Sequence, residues 1–333
     1  MTSPDPAVIL FALLIDFAIG DPRWFPHPVA FTGRVVTNLE KLLRNTFDSH
    51  ERGDAGRRWR EMAAGAVLLL LVTGMVSGIS WLLLSAASYL SSFAHFAVAT
   101  LLSWTTISAR SLHAESAVVA DALVAGDIGL ARQYLSRIVG RDTEMLDEPE
   151  IWRALIETVA ENSNDGIVAP LFWLTIGGPV AAMAFKAVST LDSMVGYRNE
   201  RYIYFGRASA RMDDLLNFIP ARLTSLLMIA VSVICGFSVS GGIRITLRDR
   251  LKHPSPNSAH PEATAAGLLG VRLGGVSSYC GALSLKQYLG DPVLPLDHNA
   301  YRRMIRLMYA TTVMMAFLSI SILYILKGIH GVK

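Results

Sequence analysis

The sequence predicts an all-α, polytopic integral membrane protein with about 4–6 transmembrane or re-entrant helices and helical surface segments. Hydrophobic residues make up 52% of the 333 residues and charged residues 17%, whereas a soluble domain carries about 25% charge. The 48 residues between Glu61 and Arg110 include no Asp, Glu, Lys or Arg, which is enough for two spans of about 20 residues each. Between the apolar windows, apolar residues recur at helical spacing, as in Leu112, Val119 and Leu123.

The order of apolar and polar stretches divides the chain into segments of what we expect to be one membrane-embedded domain, 1–333. They are a short apolar N-terminal segment (7–20), a two-span hairpin (63–107), a helical surface subdomain (110–165), a broken or kinked span (166–185), a polar segment expected to carry the active site (186–222), a span (223–243), a second polar segment (244–306) and a C-terminal span (307–326). Gly177-Gly178-Pro179 interrupts a helix, so 166–185 is either a kinked span or two half-helices.

The distribution of basic residues gives conflicting predictions about which side of the membrane each polar segment occupies. Segments 186–222 and 244–306 carry six and nine basic side chains, and the positive-inside rule places both in the cytoplasm. One simple span over 223–243 cannot have two cytoplasmic ends. Either this window turns back, or one basic segment lies outside.

Composition and motifs exclude several classes of function. A net charge of +3 is too balanced for a nucleic-acid partner. The two cysteines, Cys235 and Cys280, form no Cys-x-x-Cys pair, so a disulfide framework or a zinc or iron–sulfur cluster is not expected. The sequence also has no P-loop, dinucleotide-binding Gly-x-Gly-x-x-Gly, Gly-x-Ser-x-Gly or His-Glu-x-x-His motif.

Two polar clusters occur in the first half of the chain. The first comprises Asp16, Gly20-Asp21-Pro22 and Pro26-His27-Pro28, and its Pro and Gly content predicts an ordered turn at a membrane boundary. The second includes Glu157 and Glu161, which share a helix face and repel each other unless a cation, an amine or a proton relieves the repulsion. The nearby amide and carboxylate oxygens of Asn162, Asn164 and Asp165 suit Mg²⁺; a solvated helix face is the alternative.

Two further clusters occur in the second half. The third combines carboxylates with basic residues, as phosphoryl transfer requires, although interfacial charges that attract lipid would look similar. Its candidates are Lys186, Asp192, Tyr197, Arg198, Arg211, Asp213, Asp214 and Arg222, and Asp213 and Asn217 lie one helical turn apart if their helix is continuous. The fourth comprises Asn257, Ser258, His260 and Glu262, where Ser258 is predicted to cap a helix that begins near Pro261.

Taken together, the motifs resemble those of the CobD/CbiB family, the membrane-bound cobinamide-phosphate synthases of cobalamin biosynthesis. The resemblance extends over nearly the whole chain. It includes Gly20-Asp21-Pro22 with His27-Pro28, Arg141-Asp142-Thr143, Glu157-Thr158-Val159-Ala160-Glu161-Asn162 with Asp165-Gly166, Leu191-Asp192-Ser193-Met194-Val195-Gly196-Tyr197, Asp213-Asp214-x-x-Asn217-x-x-Pro220-Ala221-Arg222, and Pro256-Asn257-Ser258 with Pro261-Glu262. Lys186 stands where the family commonly has Arg, and it keeps the charge but not the bidentate geometry.

The resemblance implies an ATP-dependent amide ligation at the cell membrane. Aminopropanol or its phosphate would be joined to the carboxylate of the corrinoid adenosylcobyric acid to give adenosylcobinamide or its phosphate. The expected co-substrate and ion are ATP and Mg²⁺, and the expected partners are the lipid bilayer and other proteins of the cobalamin pathway. We expect the active-site segments to face the cytoplasm.

Residue chemistry, rather than the resemblance, suggests roles for the candidates. Asp165, Asp213 and Asp214 are assigned to Mg²⁺, and Lys186, Arg198, Arg211 and Arg222 to phosphates. Glu157 or Glu161 would bind the ammonium group and accept its proton, with Lys186 and Asp192 also counted as catalytic. Asn162, Tyr197, Asn257, Ser258, His260 and Glu262 complete the predicted substrate site.

Two other functional classes remain compatible with the residues alone. A Mg²⁺-dependent intramembrane prenyl- or phospho-transferase would also use an Asp-rich motif such as Asp213-Asp214-x-x-Asn217, but it normally carries two comparable motifs. A transporter would place charges within its spans and often shows inverted repeats. The amide ligase ranks first, the transferase second and the transporter third.

Overall fold

A computed structural model describes residues 5–22, 24–47, 54–197, 199–279 and 281–331. Its helices are α1 (Pro6–Ile19), α2 (Pro28–Phe47), α3 (Asp54–Leu90), α4 (Ser92–Trp104), α5 (Ala109–Val124), α6 (Ile128–Leu135), α7 (Glu148–Ser163), α8 (Ala169–Val195), α9 (Arg207–Leu216), α10 (Phe218–Cys235), α11 (Val239–Asp249), α12 (Ala259–Leu269) and α13 (His298–Gly331). A π-helical turn, Asn164–Val168, joins α7 to α8, and β1 (Val276–Tyr279) pairs antiparallel with β2 (Ala282–Leu285). The all-α prediction is confirmed, apart from this hairpin.

Four helical stretches in the described residues are long and apolar enough to cross a membrane. They are Gly56–Leu90, Glu148–Val195, Phe218–Cys235 and His298–Ile329. At 1.5 Å per residue, 18 residues extend about 27 Å, close to the thickness of the hydrocarbon core. The protein is therefore a polytopic helical membrane protein.

The predicted two-span hairpin (63–107) corresponds to α3 and the 13-residue α4, of which α3 but not α4 is long enough to cross a membrane. The sequence placed its spans near Ala63–Leu84 and Ser88–Ile107, whereas α3 continues to Leu90 and α4 begins at Ser92. Ser91 lies between the helices in extended conformation, and its side chain accepts a hydrogen bond of 3.0 Å from the Ala94 amide. This N-cap places the turn at Ser91, which is later in the chain than the predicted turn between Leu84 and Ser88.

The predicted interruption of segment 166–185 is confirmed as a kink. Within α8, Gly178 has φ 68° and ψ −164°, a conformation that L side chains rarely adopt. Pro179 follows and has no amide hydrogen to continue the helical bonding.

The window 223–243 turns back, which is one of the two alternatives left open by the sequence. The left-handed Gly236 (φ 71°) ends α10, and α11 begins three residues later, so the window is not one span. Arg222, in the first turns of α10, donates a hydrogen bond of 3.2 Å to the amide oxygen of Asn257. The chain has therefore returned to the starting end of α10 by residue 257.

The described residues form two compact units. Unit 1 comprises Met1–Ile107, Pro170–Leu216 and Ser319–Lys333, and unit 2 comprises Ser108–Ala169 and Asn217–Leu318. The single domain over 1–333 stays a prediction. The core of unit 1 includes buried residues from α2, α3 and α8, among them Val36, Leu68 and Leu191. Gly65 lies directly against the Phe205 carbonyl group, where a Cβ would clash.

Unit 2 surrounds one short buried helix. Every residue of α12 is buried, and α7, α10 and α11 pack against it. Gly241 of α11 and Gly267 of α12 face each other so closely that a Cβ on either would clash with the other's backbone. Because α12 is central, the polar residues at its start, His260 and Glu262, lie inside the protein.

Candidate active site

Helix α7 brings the two predicted glutamates together on one face. Its start is fixed by a capping box, in which the Asp147 side chain accepts from the Glu150 amide and the Glu150 side chain accepts from the Asp147 amide. Glu157 and Glu161 then lie one turn apart in a helix that is largely buried. The predicted like-charge pair therefore exists and must be stabilised by its surroundings.

Glu157 is held by two partners that occupy both of its carboxylate oxygens. Oε2 forms an ion pair with Arg141, and Oε1 accepts a hydrogen bond of 2.6 Å from the Gly274 amide. The Arg141 and Glu157 side chains are 8% and 7% exposed. Burial disfavours the charged Arg141, but the Glu157 carboxylate outweighs it and raises the pKa of Arg141. Glu157 is thus a fixed, compensated charge.

Glu161 and Glu262 form the part of the acidic group that makes no direct ion pair among the described residues. Ser258 donates a hydrogen bond of 2.8 Å to Glu161 Oε1, and no other partner of Glu161 is found among the described residues. Burial raises the pKa of Glu262 well above its ordinary value, and the negative charges of Glu161 and Glu157 raise it further. The pocket around these carboxylates therefore favours an added positive charge or a proton.

Ser258 is not a helix cap. Helix α12 begins at Ala259, two residues before the predicted start, and Ser258 makes no side-chain capping bond. Its backbone is already helical (φ −57°, ψ −35°), whereas a capping residue is usually extended. The prediction of a capping role was wrong because the hydroxyl is used by Glu161.

Lys286, which directly follows β2, is a site residue that the sequence analysis missed. Burial disfavours its charged form, but Tyr279, Glu262 and Glu161 together raise the pKa of Lys286. Its hairpin is anchored by Asp142, whose side chain accepts from Ser278 at 2.6 Å and from the Gly281 amide at 2.8 Å. In the sequence, Lys286 is a single basic residue in a short stretch of alternating residues, and this pattern could have indicated it as a site residue.

His253 is a second residue that was missed. Its Nδ1 accepts a hydrogen bond of 3.0 Å from the Ser255 amide, so the neutral ring carries its proton on Nε2. This Nε2 is buried and has no hydrogen-bond partner among the described residues. Burial and the charge of Lys286 lower the pKa of His253, against the opposing effect of Glu161 and Glu157. The site thus contains a neutral donor near its carboxylates.

Residues at the start of α12 also form an electropositive group with Arg222 and Arg250. Neither arginine forms an ion pair with a described residue, and Arg222 donates to Asn257 and to the Phe218 carbonyl. His260 is 6% exposed and its Nε2 has no partner. Burial and the charges of Arg222 and Arg250 lower the pKa of His260 to about 4, so this histidine is neutral at pH 7. Two unpaired guanidinium groups beside a neutral buried imidazole favour an anion.

The π-helical turn places Asn164 in a buried amide network. Its Nδ2 donates to Asp165 Oδ1 at 2.7 Å and to Asn217 Oδ1 at 2.9 Å, and its Oδ1 accepts from Thr224 at 2.9 Å. Asn162, predicted to bind substrate, donates to the Thr158 carbonyl of its own helix at 3.0 Å. Its role in substrate binding stays a prediction.

The remaining predicted residues belong to unit 1. Lys186 and Asp192 lie on α8, and Arg211, Asp213 and Asp214 lie on α9. Tyr197 is half exposed with its ring 6.4 Å from that of Tyr202. Arg198 lies outside the described residues. Helix α9 ends at Leu216, so Asp213 and Asn217 do not share one continuous helix as the spacing required.

A metal site built from protein side chains is not found. Among the described residues, no group of three or more His, Cys, Asp or Glu side chains can hold a metal ion. Mg²⁺ usually binds through one or two carboxylates and substrate phosphates, which a ligand-free site would not display. The assignment of Asp165, Asp213 and Asp214 to Mg²⁺ stays a prediction.

Comparisons with known proteins agree with the motifs. The sequence profile of a family described as CobD/Cbib protein matches residues 9–308. A cobalamin biosynthesis protein CobD of Pelobacter propionicus is 58% identical over 330 residues, which cover 99% of this chain and 99% of that protein. A CobD protein of Geobacter metallireducens is 52% identical over 313 residues (94% and 95%), and a cobalamin biosynthesis protein CbiB of Salmonella typhi is 41% identical over 318 residues (96% and 97%). No solved structure matches the chain.

Proposed function

The chain belongs to the CobD/CbiB family, and from this premise we propose that it catalyses an amide ligation in cobalamin biosynthesis. The reaction would join the amine of aminopropanol phosphate to the carboxylate of adenosylcobyric acid, with consumption of ATP. Support comes from a cluster of polar side chains in unit 2 that offers negative charge to an amine and, at the neighbouring residue, positive charge to a phosphate.

This pairing of opposite charges is the observation that carries the proposal. Ser258 contacts Glu161, while the preceding residue, Asn257, contacts Arg222. One turn of α12 then holds His260 towards the arginines and Glu262 towards the acidic group. A small zwitterion with an ammonium group and a phosphate group matches both charges. Free aminopropanol would leave the arginines uncompensated, so the phosphorylated amine is the better fit.

Glu161 is the residue best suited to receive the proton of the amine. The ammonium group must lose a proton before it can attack a carboxyl carbon. Both oxygens of Glu157 are occupied by Arg141 and Gly274, whereas Glu161 has one oxygen without a partner in the described residues. Glu157 would then remain a constant negative charge beside the amine. Glu262 would take up or release a proton when the charge of the amine or of Glu161 changes.

Lys286 and His253 would act on the acceptor carboxylate. A carboxylate is a poor electrophile, and ATP with Mg²⁺, when bound, would convert it into an acyl phosphate. The cationic amine of Lys286 and the Nε2 proton of His253 are donors suited to carboxylate oxygens. They lie in the field of the same glutamates that would hold the amine, so both reactants would meet in one pocket.

A cytoplasmic position of segment 186–222 is supported by the charges at one end of α3. Arg57, Arg58 and Arg60 precede its apolar part, and the positive-inside rule assigns that end to the cytoplasm. The Arg58 guanidinium lies 5.4 Å from the Tyr204 ring, so part of the segment is at this end.

A ligation assay tests the proposal. Purified protein is mixed with adenosylcobyric acid, Mg²⁺ and either aminopropanol phosphate or aminopropanol, with and without ATP, and the corrinoid is followed by mass spectrometry. We expect a product that contains the phosphorylated amine minus water, formed with ATP and lost in Glu161→Gln but not in the exposed control Glu144→Gln. No product from folded protein in native membranes, or equal product without ATP, would contradict it.

A further inference from the structure

The loop between α1 and α2 contains a polar motif that the proposed ligation does not use. The loop is held in place because the Trp104 indole donates to the Gly20 carbonyl at 3.1 Å and the Phe25 ring lies 4.9 Å from that of Trp104. His27 Nδ1 accepts from the Val29 amide at 3.2 Å, so its Nε2 carries the proton, 3.3 Å from Asp21 Oδ1. The motif is thus an ordered feature of unit 1.

A cavity of about 590 Å³ opens beside this loop, a volume typical of small-molecule sites. Asp21, His27, Arg34 and Lys186 provide its polar lining, and Trp24 and Phe25 its aromatic lining. A second cavity of about 450 Å³ shares Arg34 and continues along α2 to Asn38 and Met194. From Pro28 to Asn38 the helix extends about 15 Å, so the two cavities form a groove long enough for an extended ligand.

The charges of the groove favour an anion. Arg34 is exposed and forms no hydrogen bond or ion pair with the described residues. Lys186 on α8 is half-buried and lines the first cavity. Asp21 contributes one negative charge and faces His27, so the cations exceed the carboxylates in this lining.

We propose that this groove binds an organic phosphate, with Arg34 and Lys186 on the phosphate and Trp24 and Phe25 against the organic part. Arg and Lys are the usual phosphate ligands, and exposed aromatic rings pack against flat or apolar groups. Asp21 would hold a cation shared with the phosphate, as carboxylates do for Mg²⁺. A nucleotide and an anionic lipid headgroup both have this chemistry, and the groove would be a second phosphate site, separate from that of Arg222 and Arg250 in unit 2.

Binding is measured on the full chain with two probes. Equilibrium dialysis of the detergent-purified protein with labelled ATP and Mg²⁺ tests a nucleotide. Native mass spectrometry with phosphatidylglycerol, compared with uncharged diacylglycerol, tests a lipid headgroup. We expect one probe to bind, with affinity at least tenfold lower in Arg34→Gln and in Lys186→Gln and lower in Trp24→Ala. The matched controls are Arg57→Gln and Trp59→Ala, both exposed on α3, which should bind as the unmodified protein does.

Either positive result identifies the source of the phosphate. Binding of neither probe by folded protein, or binding that is equal in Arg34→Gln and the controls, would overturn the proposal. Arg34 is exposed, so its variant tests the groove even if Lys186→Gln does not fold. The binding measurements do not require turnover. If the groove binds neither probe, ATP-dependent ligation can still be tested separately by product formation. Conversely, a ligation without ATP would leave the lipid result unaffected.

Discussion

The Ser258 hydroxyl donates a hydrogen bond of 2.8 Å to Glu161, and this bond joins the last turn of α7 to the start of α12. It orients one carboxylate oxygen of Glu161 and leaves the other without a partner in the described residues. The neighbouring Asn257 is bonded to Arg222 on α10, so three helices meet over two consecutive residues.

Replacing Ser258 by Ala should impair the chemical step more than the fold. A hydrogen bond to a charged group contributes about 1.5–3 kcal/mol, which corresponds to a fall in kcat of roughly 10–100-fold if Glu161 loses its orientation. The measurement is steady-state ligation, with thermal unfolding to confirm the fold. Ser240→Ala on the exposed face of α11 is the control. An unchanged kcat in Ser258→Ala would show that the bond does not position a catalytic carboxylate.

Glu262 should make the folded protein less stable as pH rises. A glutamate in the unfolded chain has an ordinary pKa of 4.5, and burial raises the pKa of Glu262 in the folded protein well above it. Between these two values the unfolded chain has released its proton while the folded protein retains it, so the free energy of unfolding falls with increasing pH. Glu262→Gln should remove this contribution and make the protein more stable than the unmodified chain at alkaline pH.

Unfolding temperatures of both proteins in one detergent, measured from pH 5 to pH 9, provide the test. The difference between variant and unmodified protein isolates Glu262 from other titrating groups. Glu144→Gln, on an exposed residue, should leave the profile unchanged. Parallel profiles for Glu262→Gln and the unmodified protein would mean that Glu262 is already ionised in the folded state.

The ion pair of Arg141 and Glu157 should be strongly coupled. Removing one partner of a buried pair leaves an uncompensated charge and costs about 3–5 kcal/mol. Arg141→Met should therefore destabilise the protein by about this amount, and the double variant Arg141→Met/Glu157→Gln by less than the sum of its single variants. Denaturant unfolding of the four proteins gives the coupling free energy. Additive effects would indicate that the two charges are compensated by other groups.

Whether a site residue could be predicted from the sequence depends on how far along the chain its interaction partner lies. Glu157 and Glu161 were predicted as a pair because a helix places residues i and i+4 on one face. Arg141 lay within a matching motif, but a turn separates it from Glu157, so its role could not be derived from periodicity. Lys286 depends on a hairpin of two four-residue strands, which is too short to produce a clear alternating pattern.

The same reasoning explains the errors in the membrane segments. Hydropathy marked 223–243 as one window because the apolar residues continue across Gly236 into α11, and a left-handed glycine changes the direction of the chain without changing its polarity. The residues around Ser258 fitted a capping pattern that depends on local sequence, whereas its actual partner, Glu161, is 97 residues away. A local backbone conformation decided the first case, and a long-range partner decided the second.

Arg222 should determine whether the phosphate of the amine is recognised. Lysine at this position keeps the charge but loses the planar donor pair and the packing of the guanidinium against Phe218, 3.5 Å from its ring. We expect Arg222→Lys to raise the KM for aminopropanol phosphate about 10–100-fold, equivalent to about 1.5–3 kcal/mol, with little change for unphosphorylated aminopropanol. Arg244→Lys, whose parent residue is exposed and paired with Asp291, is the control. Equal increases in KM for both amines would show that Arg222 supports the fold of the pocket and does not contact the phosphate.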